Sequence, residues 1–114
     1  MPIPVEDIWL VSAGGSKVCA LFYFNFLSTG ELLTGTPTVS VVSGSTSNVT
    51  ISSVGRNSAT VRHKGGKIAQ IDQVVQCLVT ATTGAAGTYT LRVKCGTDAS
   101  PATNEPYDVT LKVQ

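Results

Sequence analysis

Apolar and polar residues alternate with a period of two along most of the chain, and no stretch carries the 3.6-residue rhythm of an amphipathic helix. β-Branched residues alternate with Ser and Thr between Gly, Pro and Asn breaks, the pattern of short half-buried strands. In VCALFYFNF, Val18, Ala20, Phe22, Phe24 and Phe26 fall on one face, and Cys19, Leu21, Tyr23 and Asn25 on the other. The concentration of phenylalanine assigns the first of these faces to the core. Shorter strands follow in TPTVSVV (36–42), NVTISSV (48–54) and SATVRH (58–63), separated by SGSTS and GRN.

The later part of the chain repeats the design. Residues 73–81 and 88–95 flank TTGAAG, a loop of hairpin length in which Gly84 and Gly87 can supply positive φ values. Val75, Cys77 and Val79 point inward on the first of these strands, leaving Val74 and Leu78 outward. In TYTLRVKC the inward set is Tyr89, Leu91, Val93 and Cys95, and in PYDVTLKV it is Tyr107, Val109, Leu111 and Val113. Turn signals at this spacing predict an all-β chain, an immunoglobulin-like antiparallel sandwich of about seven strands, with a small barrel as the alternative. Residues 1–17 fit this scheme poorly, because Pro2 and Pro4 discourage pairing and SAGGS breaks away. They read as an extended N-terminal arm, with Ile8, Trp9 and Leu10 its adhesive part, ahead of a sandwich domain over 18–114.

Bulk properties narrow the partners. A chain of 114 residues suits one domain, and a formal charge of +1 supplies no basic stripe for nucleic acid or an anionic membrane. Only 13% of residues are charged, so part of the surface is expected to be covered by other subunits, in a homo-oligomer or a larger assembly. The longest wholly apolar run, Val18 to Phe24, is far below the roughly 20 residues that span a bilayer. MPIPVEDIWLVSAGG lacks the basic start of a secretory signal, which makes cytoplasmic synthesis the expectation.

Candidate chemistry is sparse. Three cysteines without CxxC spacing read as buried free thiols rather than a disulfide framework. His63 is the single histidine, so Cys77, His63 and Asp72 compose the one nucleophilic arrangement that can be drawn, and strand placement makes His63 the end of a strand instead. No cofactor and no metal site are expected, since no pair of potential ligands has zinc spacing. GGSK (14–17) lacks the phosphate-loop spacing and reads as a turn, while RHKGGK (62–67) reads as a solvated hairpin tip. A carbohydrate platform would have to use Trp9 or Tyr23. Asn48-Val49-Thr50 matches a glycosylation sequon that has no use without secretion.

Taken together, FYFNFLSTGELL, TVSVVSGSTS and GAAGTYTLRVKCGTDAS resemble a group of small phage virion proteins with an immunoglobulin-like fold. The residues that carry the resemblance are Phe24, Phe26, Leu27, Gly30, Glu31, Val39, Val41, Gly44, Ala86, Gly87, Thr88, Tyr89, Leu91 and Cys95. It extends over about 23–113 and departs from the group in the long loop GTDASPATNEP. The resemblance implies a non-enzymatic virion component that binds other virion proteins. A decoration or cement protein on the major capsid protein is expected first, and a neck, tail or fibre accessory next. The subunit-interface candidates are Ile8, Trp9, Leu10, Leu21, Tyr23 and Leu78. The alternative is an adhesive or carbohydrate-binding immunoglobulin-like module that recognises a host-surface glycan.

Overall fold

The computed structural model describes residues 3–23, 26–27, 30–44, 47–63, 66–98 and 105–114. Its elements are β1 (Ile3–Val11), β2 (Ser16–Phe22), β3 (Leu33–Ser43), β4 (Val49–Arg56), β5 (Val61–Arg62), β6 (Ile68–Ala69), β7 (Val74–Ala81), β8 (Gly87–Thr97) and β9 (Pro106–Val113), with no helix among the described residues. One sheet has the order β1-β9-β8-β3 and a second the order β2-β7-β4, while β5 and β6 form a short ladder of their own. Pairing is antiparallel throughout except for β1, which runs parallel to β9.

The two larger sheets share a single core. Trp9, Val11, Leu33, Leu91, Val93, Val109 and Leu111 enter it from one side, and Cys19, Leu21, Val49, Val75, Cys77 and Val79 from the other. The molecule is an antiparallel β-sandwich, as the period-two pattern predicts.

Four sequence expectations are corrected. The segment 1–17 is not an arm, because β1 is laid along β9 from Ile3 to Val11 and a turn then leads into β2. As an edge strand β1 needs ladder bonds on one side alone, which makes Pro4 tolerable, and the register slips between Pro4 and Ile8. Pro2 lies outside the described residues.

The expected hairpin across TTGAAG is a crossing between sheets, with β7 between β2 and β4 and β8 between β3 and β9. Alternation identifies a strand but not its neighbour. What turns the loop inward is Ala85, fully buried, whose carbonyl accepts a 2.6 Å hydrogen bond from the Tyr89 hydroxyl. That bond is the geometry of a tyrosine corner.

The core face of β2 is the opposite of the one expected. Cys19, Leu21 and Tyr23 are buried, whereas Val18 is 62% exposed. Both faces of this strand are apolar, so alternation alone has no polar side to expel. The register with β7 decides instead, setting Cys19 opposite Cys77 and Leu21 opposite Val75. Phe26 reaches the core by another route. A turn in which the amides of Phe26 and Leu27 both donate to the Tyr23 carbonyl brings its ring to stack on Tyr107 at 4.1 Å. Phe24, Asn25 and Pro101 lie outside the described residues.

Last, the strand expected over 58–63 shrinks to β5. Residues 57–73 form an excursion against the outer side of the β2-β7-β4 sheet, and Val74, expected to face outward, is fully buried with Ala69 outside the main core. Asn57, 1% exposed, holds this excursion in place. Its Nδ2 donates to the carbonyls of Ala59 and Gln70, each at 2.8 Å, and its Oδ1 accepts from the amides of Gln73 and Val74 at 3.1 and 3.0 Å. An amide side chain with all four hydrogen-bonding positions used is a complete substitute for the ladder that the excursion interrupts.

Candidate functional site

Two sides of the sandwich are built differently. On the side of β3 and β4, Arg56 spans the gap, donating to Gly35 O at 2.8 Å, to Leu33 O at 3.4 Å and to Asp72 Oδ1 at 2.7 Å. Register shifts interrupt both strands there, Pro37 is buried in β3, and Ser53 in β4 takes a positive φ of 53°. Irregularities of this kind blunt a sheet edge.

The side of β1 and β2 has no comparable device over its central part. β2 keeps an unbroken register from Ser16 to Phe22, and β1 is regular from Ile8 to Val11. Between them runs an open groove of about 370 Å³, floored by Trp9 and Cys19 and walled by Ile8, Leu10, Val18, Ala20 and Phe22, with Lys17 and His63 also lining it. Its apolar walls are accessible: Ile8 is 44%, Leu10 45% and Val18 62% exposed. The Trp9 indole donates to Ala20 O at 3.1 Å, tying the two edges together. At the end formed by the excursion, His63 meets Phe22 edge-on at 4.8 Å between ring centroids.

The interface candidates from the sequence divide accordingly. Ile8 and Leu10 are exposed at the groove, and Leu78 is half-buried on the outer face of β7, in register with Val18. Trp9, Leu21 and Tyr23 are corrected to core residues, 6%, 1% and 2% exposed. Trp9 and Tyr23 are therefore not available as a stacking platform for sugars. The residues missed are Val18, Ala20 and Phe22, and the inverted parity of β2 explains all three. The register that sets Val18 against Leu78 puts both on the outer face, and no local pattern in the sequence shows that register.

Cys77, His63 and Asp72 do not come together. All three cysteines are free and buried. Burial raises the thiol of Cys77 to about 12, with the neighbouring Cys19 adding to the rise, and burial likewise raises Cys19 and Cys95. Thiols held in the neutral form are poor nucleophiles. His63 lies against the outward ring of Phe22 while Cys77 faces the core, so the sheet separates them, and Asp72 is paired with Arg56. Among the described residues no three of His, Cys, Asp and Glu cluster as metal ligands. GGSK runs from the β1–β2 turn into β2, with Gly14 at φ 81° and its amide on Thr82 O. In RHKGGK, His63 N donates to Lys67 O in the β5–β6 turn, and Lys64 and Gly65 lie outside the described residues.

No protein-family model and no curated protein matches the chain. Among solved structures it is similar to a nucleoside hydrolase-related protein from Saccharophagus degradans associated with carbohydrate metabolism, with a TM-score of 0.54 and 16% identity over 94% of this chain and 22% of that one. A family 123 glycoside hydrolase from Clostridium perfringens aligns over 93% of this chain and 22% of its own, at 10% identity and a TM-score of 0.40. The chain thus spans about a fifth of the length of these proteins. At such identities the first likeness shows a shared fold, and the second carries no argument.

Proposed function

We propose that this chain is a non-enzymatic structural component of a phage virion, an immunoglobulin-like module that binds other virion subunits, with capsid decoration or cement first and a neck or fibre accessory next. The observation that carries the reading is the apolar groove between the β1 and β2 edges, where Ile8, Leu10 and Val18 are accessible side by side. An apolar patch rimmed by polar residues is the usual mark of a protein-binding surface. The sequence resemblance described above supplies the virion context. The connectivity supports the immunoglobulin-like assignment, since β2-β7-β4 faces β3-β8-β9 with a tyrosine corner where β7 crosses to β8.

The test is co-sedimentation with purified virions, and with capsids and tails separated from them. The expected result is saturable incorporation that Val18→Glu abolishes while leaving the melting temperature unchanged. A folded protein that sediments with none of these particles would overturn the proposal. The adhesive or carbohydrate-binding alternative requires a platform other than Trp9 and Tyr23, both of which are in the core. A glycan array probed with the wild-type chain decides that reading, and binding there without virion incorporation would replace the first.

A further inference from the structure

The hydrogen-bond parity of the two edges defines what the groove can hold. Gln114 N donates to Val11 O at 3.0 Å and Ala13 N to Gln114 O at 2.8 Å, so the odd-numbered residues of β1 are those bonded to β9. The N–H and C=O groups of Ile8 and Leu10 therefore point away from the sheet, along the open edge. In β2, Tyr23 N donates to Gln73 O and Ala81 N to Gly15 O, both at 2.9 Å, so the odd-numbered residues face β7. Val18, Ala20 and Phe22 then turn their backbone groups to the open side, where the Ala20 carbonyl already accepts from Trp9. One edge is partly capped by an indole, and the other is an open template with no strand paired to it among the described residues.

We infer that the groove takes an extended segment of a partner polypeptide, added as a strand to the free edge of β1 at Ile8 and Leu10. This rests on the reading of the chain as a subunit-binding module and names the mode of binding. Backbone pairing supplies affinity in such strand addition, and side-chain pockets supply specificity. The groove's walls are apolar, Val18, Ala20 and Phe22 on one side and Ile8 and Leu10 on the other, so the alternate side chains that the segment turns into it are apolar. Its ends face Lys17 and His63, and among the described residues no carboxylate lines the groove. From Lys17 to Phe22 the β2 edge is about 17 Å long at the ordinary strand rise, room for roughly six residues. The complementary partner is thus a short β-segment, apolar at every second position and acidic at the end that meets Lys17.

The test uses the full chain, labelled for NMR, and two synthetic peptides, DVTVTVD and KVTVTVK, each titrated to about 1 mM. The acidic peptide is expected to move the amide resonances of Ile8 and Leu10 and to slow their hydrogen exchange about tenfold or more at saturation. Lys17→Glu is expected to reverse the preference in favour of the lysine peptide. Equal binding of the two peptides, no response, or shifts centred away from β1 and β2 would each overturn the inference. So would a homodimer of the free protein that protects the same amides, because the occupant would then be a second copy. Virion incorporation that depends on Val18 but leaves the exchange of Ile8 and Leu10 unchanged removes strand addition and spares the subunit-binding reading. Peptide binding without incorporation does the reverse.

Discussion

Replacing Asn57 by alanine removes, at one position, the groups that hold the excursion against the sheet. The side chain is 1% exposed and makes four hydrogen bonds, two as donor and two as acceptor. Each such bond contributes about 1 kcal/mol net, and a buried partner left unpaired costs about 1–3 kcal/mol. Water can reach some of the freed groups at the excursion's margin, so the working figure is about 4 kcal/mol, the sum of the four bonds and the low end of the penalties. A domain of this size has a total stability of roughly 6–17 kcal/mol, so the variant is expected to fold.

Urea denaturation followed by tryptophan fluorescence measures the loss, with an unchanged slope confirming that the folded state is still compact. Hydrogen exchange localises it, since the amides of Gln73 and Val74 lose their acceptor and are expected to exchange much faster, while those in β8 and β9 slow or quicken only with global stability. The excursion also carries His63 onto Phe22, so loosening it is expected to alter the corresponding end of the groove. A loss below about 1 kcal/mol, with Gln73 and Val74 still protected, would refute the argument that Asn57 substitutes for the missing ladder.

Gly44 has a φ of 106°, and a methyl placed on it would run into the ring of Tyr89; Gly44→Ala is expected to cost about 2–4 kcal/mol from strain and overpacking together, seen as a clear drop in melting temperature. The Tyr23 hydroxyl is buried without a hydrogen-bond partner among the described residues, so Tyr23→Phe is expected to be neutral or to stabilise by up to about 1 kcal/mol, and a loss larger than that in urea denaturation contradicts the assignment. Burial raises the thiol of Cys77 from its ordinary 9.0 to about 12, which favours the neutral form in the folded state. Its contribution to stability is fully present below pH 9.0 and is lost as pH rises towards about 12. Denaturation midpoints measured from pH 8 upward check this, and the raised Cys19, Cys95, Tyr23 and Tyr107 act in the same direction. The same thiols are expected to resist iodoacetamide at neutral pH until the chain is unfolded, and rapid native alkylation of any of them would show that its burial is misjudged.

How much of the site was legible depended on whether a strand had a polar face. In β8, Arg92 and Lys94 stand opposite Leu91, Val93 and Cys95, so the pattern identified the buried side correctly, and Arg92 pairs across the sheet with Asp108 at 3.0 Å. β2 offers no such contrast, because both of its faces are apolar. Choosing the phenylalanines exchanged Val18 and Phe22 for Leu21 and Tyr23 and so put two interface candidates on the buried face. Ile8 and Leu10 were read as the adhesive part of an arm, since nothing in IPVEDIWLV announces a parallel edge strand.

From the sequence alone came the all-β class and the approximate position of the long strands, because period and turn residues are local properties of the chain. Only the tertiary structure decided which strands are neighbours, which face of β2 is dry and which edge is left open. Those depend on pairing between residues as distant as Cys19 and Cys77 or Trp9 and Leu111. A one-residue change of register there inverts every side chain on the strand, at no cost that the local pattern of β2 can register.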